Sequence, residues 1–262
     1  MTPPPDRDFP WWLLVAATIA AWLLWQVARD DLYFQVLNTL SRGIGITLFV
    51  TFVGFALAAA LGLLLALGAL SRWLVVRQLA RFYIEIVRGI PILVLLLYVA
   101  FVLAPALVAA WNWATGPLGF DPARTRDFPL LWRAILALVI GYSAFIAEVF
   151  RAGLLSVPQG QIEAANALGL NRWHRFRHVV FPQAIRTILP PLGNDFIAMI
   201  KDSSLVSVLG VLDITQLGKV TAAGNFRYFE TYNVVALLYL IMTVGLSLLL
   251  RRLEARLRGA PR

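Results

Sequence analysis

The sequence predicts an all-α, polytopic membrane protein with about six transmembrane helices. Of its 262 residues, 60% are hydrophobic and only 14% are charged, with a mean hydropathy of +0.76. This composition is far more apolar than that of a soluble domain. A helix needs about 20 apolar residues to cross a bilayer. Stretches of that kind recur along the chain and give six predicted spans, at residues 11–28, 43–70, 84–110, 130–150, 187–210 and 232–250.

The individual spans differ in how cleanly they are bounded. The first follows the start "MTPPPDRDFP". This start is Pro-rich and acidic, whereas a cleaved signal peptide has a basic start and a small-residue cleavage site, so we expect this span to be retained. The second is longer than one crossing requires and is expected to tilt or to extend beyond the bilayer. Proline interrupts or kinks helices, and four prolines within the third and fifth spans are expected to do so: Pro91, Pro105, Pro190 and Pro191.

Arginine and lysine predict the orientation of the chain. Three basic segments, "SRWLVVRQLAR", the region from Arg151 to Arg186, and the tail "RRLEARLRGAPR", fall on one side if six spans alternate. The positive-inside rule makes that side cytoplasmic, and both termini are then cytoplasmic as well. The net charge of +9 therefore reflects membrane topology, and no nucleic-acid partner is expected.

Several classes of function are disfavoured by residue content. The chain has no cysteine, which removes disulfides, thiolate metal ligands and thiol nucleophiles. His174 and His178 stand in a basic segment that would repel a cation, so no metal site is expected. No phosphate-binding loop of the GxxxxGK[ST] type occurs, and no arrangement typical of a membrane-embedded enzyme is apparent.

The longest cytoplasmic connection contains "GQIEAANALGL", residues 160–170, which predicts a short helix outside the membrane. Pro158 suits a first helical turn and Ser156 could cap it. Gly169 provides a stop, and Asn171 can cap a second helix that ends before Pro182. Small side chains and the apolar Leu168 suit docking into a partner's groove. The residues alone leave equally open a helix that packs only on its own protein.

This segment, with the "FPQA" that follows, resembles the EAA signature of bacterial ABC importer permeases. More narrowly, the chain is similar to the polar amino acid permeases of histidine, glutamine, glutamate and arginine uptake systems. Three further stretches support the resemblance over residues 40–250, in order: "FYIEIVRGIPILVLLL", "SAFIAEVFRAGLLSVPQGQ" and "FPQAIRTILPPLGNDFIAMIKDSSLVSVLG". Ser203 stands where many members of that family have threonine.

The resemblance implies a five-helix transmembrane core, and the span at 11–28 is an addition to it. The implied organisation is an N-terminal tail and extra helix (1–40), a transmembrane domain (41–251) with a coupling region at about 152–185, and a basic tail (252–262). The coupling helix would sit in a cleft of a separate ATPase subunit. Its predicted contact positions are Gly160, Gln161, Glu163, Ala164, Ala165, Leu168 and Gly169.

The resemblance also implies the protein's partners and location. These are ATPase subunits that bind ATP and Mg²⁺, a second permease copy or paralogue, a periplasmic substrate-binding protein, membrane lipid and a polar amino acid. The location is the bacterial inner membrane, and no cofactor or catalysis belongs to this chain. The competing interpretation is an ion-gradient-driven secondary transporter, which should show two symmetric halves with discontinuous helices. No such pair of halves is apparent in the sequence.

Charged residues within or near the spans form the second candidate group. Glu85 and Arg88, and likewise Glu148 and Arg151, are three residues apart and can pair on one helix face. Lys201 and Asp202 are adjacent, so a direct pair is not expected, and separate partners or a helix break is favoured. These side chains could hold helices together or line a substrate pathway, and the sequence leaves both roles open. The group comprises Glu85, Arg88, Glu148, Arg151, Asn194, Lys201, Asp202 and Ser203.

Overall fold

The computed structural model describes residues 11–258, and no strand occurs among them. The longer helices are α1 (Trp11–Arg29), α2 (Asp31–Ala69), α3 (Leu74–Gly89), α6 (Leu130–Leu155), α9 (Phe181–Asp202) and α11 (Tyr228–Arg258). The shorter ones are α4 (Ile92–Tyr98), α5 (Ala104–Thr115), α7 (Gln159–Ala167), α8 (Arg172–Arg175) and α10 (Ile214–Asn225). Two π-helical turns, Val99–Leu103 and Phe176–Val180, join α4 to α5 and α8 to α9. A 3₁₀ segment, Ser203–Leu209, follows α9.

Helix α6 is the centre of the bundle. Its most apolar 18-residue stretch is 67% buried, against 22–28% for the corresponding stretches of the other apolar helices. Small side chains let neighbouring backbones approach closely, which is the usual basis of helix packing in lipid. Four of them, Ala134, Ala137, Ser143 and Ala144, are fully buried along α6. Helices α2, α3, α4 and α9 pack around this axis.

Four described helices are long and apolar enough to cross a membrane: Asp31–Ala69, Ile92–Leu118, Leu130–Leu155 and Tyr228–Arg252. Helices α1 and α9 correspond to the other two predicted spans but are not among these four. Helix α9 carries four charged residues, Arg186, Asp195, Lys201 and Asp202, which lower its apolar character. The count of six spans therefore stays a prediction.

The predicted span 84–110 is wrong in its boundaries. Residues 84–89 end α3, the chain then breaks at Ile90 and Pro91, and the apolar helix begins at Ile92. Pro91 has φ −57° and ψ 137°, an extended conformation into which proline's fixed φ fits. Pro105 instead falls in the first turn of α5, and α9 continues through Pro190 and Pro191. Of the four prolines expected to disturb helices, Pro91 is the one at which a helix breaks.

Helix α1 is followed directly by the long helix α2 and packs against it. The proposed domain boundary at residue 40 falls inside α2, which begins at Asp31 and is capped by Asp30 accepting from the Leu32 N–H at 2.8 Å. Leu23 and Val27 of α1 pack in one buried cluster with Val36 and Leu40 of α2 and with residues of α11. The additional N-terminal helix is thus packed on the chain's own core.

Helix α10 is held at the opposite end of the bundle from α7 by a fully buried cap. Asp213 accepts hydrogen bonds from the Gln216 N–H at 2.7 Å and the Tyr239 hydroxyl at 3.1 Å. The backbone of α2 passes directly against this cap. A Cβ at Gly43 would lie 2.6 Å from the Ile214 nitrogen, so this crossing requires glycine.

Candidate functional site

The short helix predicted at the cytoplasmic connection is present as α7, Gln159–Ala167. Its outer face is exposed and includes six of the seven predicted contact positions: Gly160, Gln161, Glu163, Ala164, Leu168 and Gly169. Leu168 is 79% exposed. The exception is Ala165, which is 3% exposed and faces the rest of the chain. Its small side chain closes the inner face of α7 and is not available to a partner.

The end of α7 is fixed by a Schellman motif, in which a left-handed residue lets two N–H groups reach back to the last helical carbonyls. The Leu170 N–H bonds the Ala165 carbonyl at 3.1 Å, and the Gly169 N–H bonds the Asn166 carbonyl at 3.0 Å. Gly169 has φ +73°, a conformation that costs other residues energy because of their Cβ. The prediction that Gly169 ends the helix is confirmed.

The beginning of α7 differs from the prediction. Pro158 is the residue before the helix and has an extended backbone, and no side chain caps it. Ser156 does not cap α7 because its hydroxyl is used elsewhere: it donates to the Gly153 carbonyl at 2.8 Å and is hydrogen-bonded with the Thr187 hydroxyl at 3.2 Å. Since Thr187 lies on α9, Ser156 ties the end of α6 to α9.

Helix α7 contacts the helices on both sides of it in the chain, α6 before it and α8 and α9 after it. Val157, Ala184 and Ile188 form a buried cluster against which Ile162 of α7 packs. Asn166 of α7 accepts a hydrogen bond from Arg175 of α8. Asn171 caps α8, as predicted, by accepting from the His174 N–H at 2.9 Å. Through Ile162, α7 thus shares a hydrophobic cluster with residues of both α6 and α9.

A second feature is a cavity of about 500 Å³ at the break between α3 and α4. Its lining combines apolar groups with an arginine and two carboxylates, namely Arg88, Asp195 and Asp202. Phe145 also lines it, and the Arg88 guanidinium lies 5.6 Å from the centre of that ring, within the range of a cation–π interaction. The cavity thus contains groups complementary to both ends of a zwitterion.

The two carboxylates of the cavity are held differently. Asp202 accepts a 2.7 Å hydrogen bond from the Tyr142 hydroxyl of α6. Asp195 Oδ2 is buried and has no hydrogen-bond partner within the described chain. Buried polar atoms are normally satisfied, so an unpartnered carboxylate oxygen beside a cavity indicates that a donor from outside the chain belongs there.

Glu85, Glu148 and Arg151 do not line this cavity. Glu148 and Arg151 form the predicted ion pair, with a shortest N–O distance of 2.6 Å. Glu85 and Arg88 form no ion pair among the described residues, so that prediction is wrong, because Arg88 turns to Phe145 while Glu85 is exposed.

The polar cluster near residue 201 resolves into separate environments. Lys201 is exposed and does not pair with Asp202, as expected for adjacent residues. Helix α9 ends at Asp202, which agrees with the expected break in the helix. Ser203 is fully buried and donates to the Ile200 carbonyl at 2.7 Å. Asn194 is exposed.

Sequence reasoning did not identify Tyr142 or Phe145 as site residues. Both lie in an apolar run of α6, where aromatic residues are expected for packing. Their connection to Asp202 and Arg88 spans 60 and 57 residues of sequence, and no local pattern reports it. The convergence of Arg88, Asp195 and Asp202 on one cavity likewise appears only in the folded chain.

Comparison with known proteins identifies the group to which the chain is similar. A family described as "binding-protein-dependent transport system inner membrane component" matches residues 58–259. The glutamine transport system permease protein GlnP of Escherichia coli (strain K12) is 38% identical over 84% of this chain and 93% of its own length. The probable amino-acid permease protein YxeN of Bacillus subtilis (strain 168) is 37% identical over 80% of this chain and 88% of its own.

A solved structure agrees with these sequence relationships. The crystal structure of an amino acid ABC transporter with histidines contains a chain that is 36% identical, with a TM-score of 0.70. The match covers 84% of this chain and 94% of that one. The range matched by the family, residues 58–259, contains α7 and the residues that line the cavity.

Proposed function

The chain belongs to the family of binding-protein-dependent transport system inner membrane components and is a permease component of an amino acid ABC importer, and on this premise we propose that α7 couples it to a separate ATPase. Its relatives are multi-pass inner-membrane permease subunits without catalytic activity.

The observation that carries the proposal is the two-sided character of α7. Its outer face is exposed and ends in Leu168, while on its inner face Ala165 is buried and Ile162 packs in a cluster with residues of α6 and α9. An exposed apolar anchor on a short helix suits a partner's groove. Because the inner face is packed, movement of that partner would tilt α6 and α9 together, which is the mechanical step that an importer needs.

The partners follow from this arrangement. ATPase subunits would bind α7 and carry ATP and Mg²⁺, since no phosphate-binding loop occurs in this chain. A second permease copy or a paralogue would complete the pathway, and a periplasmic substrate-binding protein would deliver the amino acid. Both termini and residues 152–185 would face the cytoplasm, because the basic segments lie on that side.

We propose in addition that the cavity at the α3–α4 break lines the translocation pathway for a polar amino acid. Arg88 would meet the substrate's carboxylate, and Asp195 or Asp202 would meet its ammonium group. The unpartnered Asp195 oxygen supports this assignment, since an ammonium group provides the missing donor. No finding favours a gradient-driven transporter, which would take up substrate without ATP or any partner.

Orientation is tested with single-cysteine variants, for which this cysteine-free chain is well suited. A membrane-impermeant maleimide applied to the outer face should label Asp121→Cys, on the opposite connection, and leave Gln161→Cys unlabelled. Inverted vesicles should show the reverse pattern. Labelling of Gln161→Cys from outside would place α7 away from any cytoplasmic ATPase and refute the coupling role.

Coupling itself is tested by uptake into vesicles that contain all subunits of the importer. Disrupting Glu163 and Gly169 together should abolish ATP-dependent uptake and release the ATPase subunits. If uptake persisted in such a variant after the ATPase had dissociated, α7 would not be the coupling element.

A further inference from the structure

A basic and aromatic surface lies at the start of the helix that follows α7. It consists of Trp173, Phe176 and Phe181 with the guanidinium groups of Arg172 and Arg177. The three rings form a row, with centroids 6.3 Å apart between Trp173 and Phe176 and 5.9 Å between Phe176 and Phe181. With Arg177 they border an open groove of about 520 Å³.

The aromatic rings of this surface contact one another but remain substantially exposed. Trp173 is 62% exposed, and Phe176 and Phe181 are also exposed. Three neighbouring exposed aromatic side chains are unusual on a water-facing surface and mark a place where an apolar phase or partner makes contact. The indole of Trp173 combines an apolar ring with an N–H donor, which suits the boundary between water and lipid.

The charge of this region is positive and uncompensated. Residues 164–194 contain no Asp or Glu but contain Arg172, Arg175, Arg177 and Arg186. Arg175 is occupied by Asn166. Arg172 and Arg177 are exposed and have no ion-pair or hydrogen-bond partner within the described chain. Two guanidinium groups are therefore free to bind an anion beside the aromatic row.

The position of the surface identifies the environment it meets. From Arg172 the chain continues as one helical run through the π turn into α9, so the surface lies where a cytoplasmic helix enters the membrane-embedded bundle. Anionic lipids attract Lys and Arg at that boundary. Guanidinium groups bind phosphate in a bidentate manner, and the adjacent rings would contact the glycerol and upper acyl chains.

We propose that this surface binds the phosphate head group of an anionic phospholipid in the leaflet on the side of α7. Its cytoplasmic assignment rests on the orientation proposed above. Charge complementarity and the continuation into α9, which packs on the apolar helix α6, favour lipid over the ATPase, for which the exposed tip of α7 at Leu168 provides a separate contact. A bound lipid there would brace the base of α9, through which α7 acts.

The test measures phospholipid retained by the purified, intact importer. In native mass spectrometry with added phosphatidylglycerol or phosphatidylcholine, the wild-type complex should retain phosphatidylglycerol preferentially. The double variant Arg172→Gln/Arg177→Gln should bind it about 30-fold more weakly, as two interfacial arginines at about 1 kcal/mol each imply. Arg175 is kept because it contacts α7.

The matched control is Arg251→Gln/Arg252→Gln, which removes the same charge from two exposed arginines of the basic C-terminal segment. It should retain phosphatidylglycerol as the wild type does. If both double variants lost phosphatidylglycerol equally, the effect would come from the overall positive charge and not from this surface, and the proposal would be overturned. Unchanged lipid retention in Arg172→Gln/Arg177→Gln, or a loss of ATPase subunits from that variant with lipid still bound, would also overturn it.

These outcomes are separate from those of the coupling proposal. Lipid retention in detergent does not depend on which side of the membrane the surface faces. A failure of the cysteine-labelling test would leave the lipid result intact, and lipid binding could fail while α7 still bound its ATPase.

Discussion

The hydroxyl of Tyr142 donates a 2.7 Å hydrogen bond to the carboxylate of Asp202, joining the middle of α6 to the last residue of α9. Both residues line the cavity at the α3–α4 break. Since α6 and α9 are also the helices to which α7 is anchored, this hydrogen bond connects the proposed pathway to the proposed coupling element.

Replacing Tyr142 with Phe removes this donor while keeping the ring. A hydrogen bond to a charged group contributes about 1.5–3 kcal/mol, so we expect a lower melting temperature together with a changed KM for ATP-dependent uptake. Tyr83→Phe is the control, because its hydroxyl bonds the Ile140 carbonyl at 3.1 Å and Ser143 at 3.0 Å away from the cavity. It should lower stability only. Identical KM values in both variants would contradict a role of Tyr142 in the pathway.

Replacing Arg88 with Gln should weaken recognition of the substrate's carboxylate. We expect the KM of uptake to rise by about tenfold or more, because a charge-assisted hydrogen bond is worth about 1.5–3 kcal/mol. Arg81→Gln removes the same charge from an exposed position of α3 that does not line the cavity. A similar rise in KM for Arg81→Gln would attribute the effect to the electrostatics of the helix and not to the cavity.

Gly169→Ala tests the left-handed end of α7. At φ +73° an alanine costs about 1–2 kcal/mol, so the Schellman turn should loosen and uptake per ATP hydrolysed should fall. Gly224→Ala, on α10 and away from the coupling helix, is matched to it, because a Cβ at either position meets no atom within 4 Å and the φ of Gly224 is not positive. That variant should leave the transport-to-hydrolysis ratio unchanged. If Gly169→Ala also left the transport-to-hydrolysis ratio unchanged, the shape of this turn would not matter for coupling.

Leu168→Ala tests the exposed anchor of α7. Burying a leucine side chain contributes about 1.5–3 kcal/mol, so affinity for the ATPase subunit should fall by about tenfold or more without loss of thermal stability. Leu118→Ala makes the same truncation at a side chain that is 72% exposed on the opposite connection, and it should have no effect. Pull-down titration measures both. Unaltered affinity in Leu168→Ala would remove this residue from the interface.

Gly43→Ala tests the crossing of α2 over the α10 cap. The new Cβ would meet the Ile214 nitrogen at 2.6 Å and its Cα at 2.8 Å, and backbone cannot move aside as a flexible side chain does. Overpacking of this kind costs about 1–3 kcal/mol, which thermal unfolding of the purified protein will report. Gly45→Ala, two residues later on α2, meets nothing within 4 Å and should be neutral or slightly stabilising. A lower melting temperature for Gly45→Ala alone would refute the close approach.

The local features of α7 were predictable because their causes are local. A helix of small residues, its end at Gly169 and the Asn171 cap all depend on groups within six positions of one another, and the sequence displays those groups directly. The same holds for the Glu148–Arg151 pair, three residues apart on one helix. The predicted Ser156 cap was wrong because the serine hydroxyl donates to the Gly153 carbonyl of its own helix and lies beside Thr187 of α9.

The sequence by itself determined that this chain is a helical membrane protein with a polar helix between its spans, since length, apolarity and charge bias carry that information. Only the tertiary structure decided that Ala165 is buried, that Arg88 contacts the Phe145 ring and not Glu85, and that Tyr142 donates a hydrogen bond to Asp202. The physical reason is that lipid and protein interior are both apolar. Hydrophobic patterning therefore marks which segments are buried in the membrane but does not show which faces of those segments meet each other.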